Sequence, residues 1–223
     1  MKHSAAIVVL LLGIAGFLNA QPEASVPKLT VKLGALSLID PVLPSFNLAG
    51  EFQISGRWYG QMEAGLILNL EDQVDGLRTG DKSGFRLRPA VRFYYQEKRN
   101  RYFLEFLLVY RQVSMDIDGE FFIAPPNELS YNRLVNYSVN SRKLSAFLNV
   151  GLFDHSFNER LLVELGMGLG LSGQDNSFSN IPDYGSLRRT SIFSGAFDPD
   201  YAINTADIRV TGMLYLNIGY VLF

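Results

Sequence analysis

Apolar residues recur at every second position through most of this chain, and no other feature restricts its fold as much. Successive side chains of a β-strand point to opposite faces, so a two-faced sheet shows this period. In 46–55, Phe46, Leu48, Gly50, Phe52 and Ile54 share one face, and Asn47, Ala49, Glu51, Gln53 and Ser55 the other. In 85–96, Phe85, Leu87, Pro89, Val91, Phe93 and Tyr95 oppose Arg86, Arg88, Ala90, Arg92, Tyr94 and Gln96. In 161–172, Leu161, Val163, Leu165, Met167, Leu169 and Leu171 oppose Leu162, Glu164, Gly166, Gly168, Gly170 and Ser172. The chain is 48% hydrophobic and 13% aromatic, yet nothing after residue 20 approaches 18 consecutive apolar residues. Alternation reconciles the two facts.

Five weaker segments fill the gaps: 29–39, 60–70, 102–113, 143–153 and 207–223. In 29–39, Leu29, Val31, Leu33 and Ala35 oppose Thr30, Lys32 and Gly34, after which both faces turn apolar. In 102–113, Tyr102, Leu104, Phe106, Leu108 and Tyr110 oppose Glu105 and Arg111; in 143–153, Leu144, Ala146, Leu148, Val150 and Leu152 oppose Lys143, Ser145 and Asn149. The total is eight strands, most of roughly the 9–11 residues that cross a bilayer when tilted. Their connections alternate in length. Ser55 to Tyr59, Glu97 to Arg101 and Asp154 to Arg160 are short and polar, with turn formers such as Gly56, Asn100 and Asn158. Asp40 to Ser45, Glu71 to Gly84, Met115 to Arg142 and Gly173 to Ala206 form the other set, three of them long. Short turns at one end and long loops at the other are the layout of outer-membrane barrels, with turns and both chain ends toward the periplasm.

Backbone polar groups cannot stay unpaired in hydrocarbon, so a sheet in a membrane closes on itself. The expected fold is therefore all-β: a closed, antiparallel, up-and-down transmembrane barrel with its apolar face toward lipid. The mixed face then points inward. It carries Glu51, Glu63, Glu105, Glu164 and Asp207 against Lys32, Arg86, Arg88, Arg92, Arg111, Lys143 and Arg209. Eight strands leave an interior that side chains can fill, and buried charges must pair to be tolerable. The expectation is a lumen ion network built from Glu51, Glu63, Arg86, Arg88, Arg92, Glu105, Arg111, Lys143, Glu164 and Arg209. Glutamates of the second, third and fifth strands would surround the arginines of the fourth. Trp58, Tyr59, Tyr94, Tyr95, Tyr102 and Phe153 flank the short turns, where an interfacial aromatic girdle belongs. A soluble lipocalin-like barrel, with the apolar face inside, is the alternative fold.

The first twenty residues read as a secretory signal: Lys2, an apolar run from Ile7 to Phe17, and a cleavage site at Leu18, Asn19 and Ala20. The run is too short for a spanning helix. The expected organisation is signal peptide 1–20, a short periplasmic segment 21–28 and the barrel 29–223. There are no cysteines, which removes disulfides, thiolate metal sites and a lipid-modified N-terminal Cys. A net charge of −2 argues against a nucleic-acid partner.

With the signal, the alternating segments and the last strand from Met213 to Phe223, the chain resembles small outer-membrane proteins of the OmpA/OmpX type, in their divergent porin-like form of unknown role. The resemblance implies location in the outer membrane of a Gram-negative cell, contact with outer-membrane lipid and lipopolysaccharide, and delivery by the barrel-assembly machinery. It makes a terminal aromatic, here Phe223, the assembly signal. This chain departs from the family in register, because its outward frame runs through even-numbered Tyr220 and Leu222. No functional motif carries over residue by residue.

Reactive chemistry is sparse. His155 sits between Asp154 and Ser156 in the third short turn, but adjacent residues point apart and do not form a Ser-His-acid relay. Met115 to Glu120 looks like a calcium loop but lacks the length and later ligands of one. Gly166, Gly168 and Gly170 alternate within a strand and so do not form a phosphate loop; small residues there make room for Arg and Tyr side chains opposite. No catalytic residue, cofactor or metal is expected. The long loops hold apolar Phe121 to Pro126, and Phe178, Ile181, Tyr184, Ile192, Phe193, Phe197 and Tyr201 beside Arg188 and Arg189. They either pack on one another, extending the barrel above the membrane, or meet an extracellular partner. The functional expectation is a non-enzymatic outer-membrane barrel with a structural, adhesive or surface-interaction role. The alternatives are a narrow channel for small solutes and, less favoured, an enzyme acting on envelope lipid.

Overall fold

Ten strands and one short helix account for the computed structural model, which describes residues 29–38, 43–69, 72–74, 77–97, 100–126, 128–156, 160–187 and 208–222. The strands are β1 (Leu29–Gly34), β2 (Ser45–Ser55), β3 (Trp58–Ile67), β4 (Asp72–Val74), β5 (Leu77–Glu97), β6 (Asn100–Ile123), β7 (Tyr131–Ser156), β8 (Leu161–Ser179), β9 (Gly185–Leu187) and β10 (Arg209–Val221). The helix α1 is Ala35–Leu38. Eight strands pair antiparallel in the closed order β1-β2-β3-β5-β6-β7-β8-β10, and β10 returns to β1. β4 and β9 are short flaps on β5 and β6.

Each expected segment corresponds to one of these eight strands, and the register keeps its apolar face on the outside. Phe106 is 53% exposed, Leu148 58% and Leu169 69%, whereas Glu105, Asn149 and Glu164 on the opposite face are at most 1% exposed. The same division holds for outward Phe52, Val91 and Leu165 against buried Glu51 and Arg92. The lipocalin-like alternative requires the reverse and is excluded. The tight β2–β3 turn pairs Ser55 with Trp58, and Gly56 adopts φ +51° there, a left-handed conformation that glycine takes without a Cβ penalty.

Three expectations about extent need correcting. The first strand does not reach residue 39. It stops at Gly34, whose carbonyl accepts a 2.6 Å bond from Ser37 Oγ, and the apolar stretch that follows coils into α1. Most of the segment from Met115 to Arg142 is strand rather than loop, as β6 and β7 remain paired from Tyr102 with Leu152 to Ile123 with Tyr131. β5 begins at Leu77 and β8 continues to Ser179, so strand also extends into those two expected loops. The physical reason is an exchange of polarity. On β6, even-numbered outward residues are Leu104, Phe106 and Leu108 near the short turns, but Ser114, Asp116, Asp118 and Glu120 farther up. The inward ones change from a mixed set, Phe103, Glu105 and Leu107, to the apolar Val113, Met115, Ile117, Phe121 and Ile123. A frame tied to an apolar outer face loses the strand where the faces trade character.

The upper inward residues make an apolar cluster: Val113, Met115, Ile117, Phe121 and Ile123 pack with Tyr137, Val139, Leu43 and Ile67. Phe178 and Ile181, expected in a loop, pack against it. The signal segment, residues 21–28, Asp207, Phe223 and residues 188–206, with Arg188, Arg189, Ile192, Phe193, Phe197 and Tyr201, lie outside the described residues.

Candidate functional site: the charged interior

The ring interior is layered along its axis. At the short-turn end it is aromatic. Tyr94 stacks edge-on against Tyr59 and Phe153 at centroid distances of 4.8 and 4.9 Å, and Phe103 lies beside Tyr94 and Tyr215. Tyr59, Tyr94 and Phe153 therefore do not belong to an outer girdle as expected. In the sequence frame Tyr94 shares the face of Arg88 and Arg92, and that alternation outweighs proximity to a turn. Trp58, Tyr95 and Tyr102 remain on the outside, each about 40% exposed.

Next comes an ion network. Lys32 Nζ donates to Glu51 Oε2 at 2.7 Å and to Glu164 Oε1 at 2.5 Å. Arg92 Nη1 donates to Glu164 Oε2 at 2.8 Å and to Glu51 Oε2 at 3.2 Å, and its Nε bonds Glu105 on the neighbouring strand. Tyr94 Oη donates to Glu51 Oε2 at 2.9 Å. Asn149 Nδ2 donates to the second Glu105 oxygen at 2.6 Å, and Asn217 Nδ2 to Glu164 at 3.3 Å. The Arg92 guanidinium also lies 4.7 Å from the Phe103 ring centroid. Side chains from β1, β2, β5, β6, β7, β8 and β10 thus meet across the axis. A separate pair sits one step higher, where Arg88 Nη1 donates to Glu63 Oε1 at 2.7 Å and Asn47 Nδ2 donates to the same oxygen at 2.8 Å.

Of the residues expected in the network, the structure brings Glu51, Arg92, Glu105 and Glu164 together and gives Glu63 and Arg88 to each other. Lys32 and Tyr94 are central members that the expected network lacked, although both stood on the correct face. Glu164, on β8, reaches Arg92, on β5, across the ring, so the carboxylates around Arg92 come from β2, β6 and β8 rather than from neighbouring strands alone. Sequence distance hides such a contact, because nothing in a strand pattern says which residues share a height on opposite walls.

Arg86, Arg111 and Lys143 form a third layer. Arg86 is directly across from Arg111, and Arg111 from Lys143, on three adjacent strands. With Arg88 they line a cavity of about 310 Å³ bounded also by Val109, Phe147 and Met213. Arg209 stands at the upper end of β10, opposite Ser172 of β8, and is exposed. These four bases are therefore not members of the Lys32–Arg92 network.

The alternating glycines of β8 serve the interior. A Cβ on Gly166 would strike the Tyr215 ring, on Gly168 the Asn149 amide and on Gly170 the Phe147 ring. The expectation of space-making for neighbours holds, with Asn and Phe in place of Arg. Asp116 and Asp118, in the calcium-like stretch, lie on β6 and accept bonds from Ser138 Oγ and Asn136 Nδ2 on β7. His155 is paired opposite Leu162 in the β7–β8 ladder, and its side chain is outside the described set. Among the described residues no three His, Asp or Glu side chains gather as a metal site.

No protein-family model matches the chain, and no curated protein matches it. Among solved structures it is similar to a major outer membrane protein from Thermus thermophilus, at 12% identity and a TM-score of 0.45, over 89% of this chain and 100% of that one. A likeness this distant says nothing of the role of either protein's residues.

Proposed function

We propose that the protein is an eight-stranded barrel of a bacterial outer membrane whose lumen is closed by its own side chains, with a non-enzymatic structural, adhesive or surface-interaction role. One observation carries the reading: a belt of exposed Leu, Phe, Val, Met and Ile encircles the lower part of the ring, backed by buried paired ions. Phe46, Phe52, Met62, Leu66, Leu104, Leu148, Leu165 and Leu214 all contribute to that belt. In water it would be an apolar patch far larger than soluble monomers tolerate. In a bilayer it is the expected lipid-facing surface, and closure of the ring satisfies the backbone. The Lys32–Arg92 network and the apolar cluster above it both cross the axis, which supports a filled lumen over a water-filled channel. Outer-membrane lipid would then be the principal neighbour, with the paired upper strands reaching outside the cell.

The test combines fractionation with heat-modifiable migration. The unheated protein is expected in the outer-membrane fraction and to run faster than the boiled form on a detergent gel. Protease added to whole cells should cut at residues 124–130, at the tip of the β6–β7 hairpin. Recovery as a soluble periplasmic protein rules the reading out. Planar-bilayer recordings address the lumen: steady conductance that changes in Arg88→Ala favours the narrow-channel alternative.

A further inference from the structure

Two of the short turns are built alike. Arg57 stands immediately before β3, and Arg160 immediately before β8. The Arg57 carbonyl accepts a 2.9 Å bond from the Tyr94 N–H, and the Arg160 carbonyl a 2.8 Å bond from the Val221 N–H. Each backbone is thereby tied to the next strand around the ring, β5 in the first case and β10 in the second. Each side chain then reaches an outward tyrosine of that same strand. The Arg57 guanidinium lies 6.0 Å from the centroid of the Tyr95 ring. Arg160 Nη1 donates to Tyr220 Oη at 3.3 Å.

In ring order β2-β3-β5 and β7-β8-β10 lie half the circumference apart, so one arginine–tyrosine pair stands on either side of the barrel. Arg99 occupies the same place in the sequence, immediately before β6, and lies outside the described residues. Tyr95 and Tyr220 belong to the outward face and stand at the short-turn edge of the apolar belt. Beside the first pair, Trp58 packs on Phe93 with ring centroids 5.1 Å apart.

The charge of these arginines is not used inside the molecule. Lys32, Arg88 and Arg92 in the interior each have a glutamate. Arg57 and Arg160 are exposed, and among the described residues neither forms an ion pair with a carboxylate. At the opposite end the exposed charges include acidic Asp81, Glu128, Asp175 and Asp183. An exposed cation at the edge of a lipid-facing belt, beside a tyrosine that favours headgroup level, fits one chemical group by charge and by position. The planar fork of arginine matches two oxygens of a phosphate. Tyr220 Oη, in accepting from Arg160, keeps its own proton to donate to a third.

We propose that the Arg57–Tyr95 and Arg160–Tyr220 pairs are two binding sites for the phosphodiester of an anionic glycerophospholipid, in the leaflet at the short-turn end, with its acyl chains along the belt. The sites rest on the bilayer reading given above, because only there does this edge meet lipid headgroups.

The test uses the full-length protein folded in an uncharged detergent and followed by native mass spectrometry. It is titrated with dioleoyl phosphatidylglycerol, whose head carries a net negative charge, or with dioleoyl phosphatidylcholine, whose head carries none. Phosphatidylglycerol should bind about tenfold more tightly, with at least two copies retained. Arg57→Gln and Arg160→Gln should each remove one tight copy, and the double variant two. Arg133→Gln, the same loss of charge on the exposed upper hairpin, should remove none. Equal affinity for the two lipids overturns the proposal. An unchanged double variant, or an equal loss in Arg133→Gln, does so as well. The comparison of the two lipids on the unaltered protein needs no variant to fold. Heat-modifiable migration of the same sample reports separately on the barrel, so a failed barrel and absent lipid sites are told apart.

Discussion

The lower ring and the upper extension are built from the same strands and are opposite in polarity. On β7, Leu144, Leu148 and Leu152 point out below while Lys143, Ser145 and Asn149 point in. Above, Val139 and Tyr137 are buried inside, and Asn132 and Asn136 are exposed on the outside. Neither arrangement is intrinsic to a strand; each is what its surroundings demand. A strand in hydrocarbon gains nothing by hiding leucine and must pair its charges out of lipid. A strand in water does the reverse, burying apolar area at about 25 cal/mol per Å². In the outer-membrane reading proposed above, the level at which the faces trade, near Gln112 on β6 and Gly173 on β8, is where hydrocarbon would give way to water.

The contrast can be attacked from its strongest side first. Arg92→Leu leaves Glu51, Glu105 and Glu164 crowded without their shared cation, and breaking a buried network in this way costs about 3–5 kcal/mol. Urea unfolding of the lipid-reconstituted protein should show that loss, and an unaltered midpoint would mean that the interior ions contribute little. Leu148→Arg places a charge in the middle of the apolar belt and should cost about 2–4 kcal/mol in a bilayer. Gly168→Ala pushes a methyl group into the Asn149 amide that holds Glu105, an overpacking expected to cost about 1–3 kcal/mol. Asn132→Arg, on the same outward face as Leu148 but on the upper extension, should stay within about 0.5 kcal/mol. If the two outward arginines, at 148 and 132, cost the same in the same lipid, the upper and lower outer surfaces share one medium and the comparison fails.

The sequence made the lower region legible because three constraints coincide there. Period 2, an unbroken apolar face and short polar turns all specify the same strands, from Phe46 to Ile54 and from Val163 to Leu171. It also put Glu51, Arg92, Glu105 and Glu164 on one face. It did not show that Glu164 on β8 would reach Arg92 on β5, since heights around a ring depend on stagger between strands and not on spacing within one. The paired upper strands were hidden for another reason. Segments such as Ser114 to Phe122 still alternate, but with polarity reversed, and polar residues with a glycine at 119 read as loop when the outer face is assumed apolar. Tyr94 lies close to a turn, yet its parity with Arg92 puts it on the inner face.

The β6–β7 hairpin has one more implication. From Val113 to Ile123 the strand measures roughly 35 Å at about 3.3 Å a residue, and its tip at Leu129 is 92% exposed. If the protein stands in an outer membrane as proposed, this hairpin, which runs on past the last β5–β6 pair at Asp118, is what an approaching body meets first. The tip is bound neither to match acyl chains nor to fill a lumen, so it is the stretch of this chain freest to vary and the natural place to splice in an epitope for display.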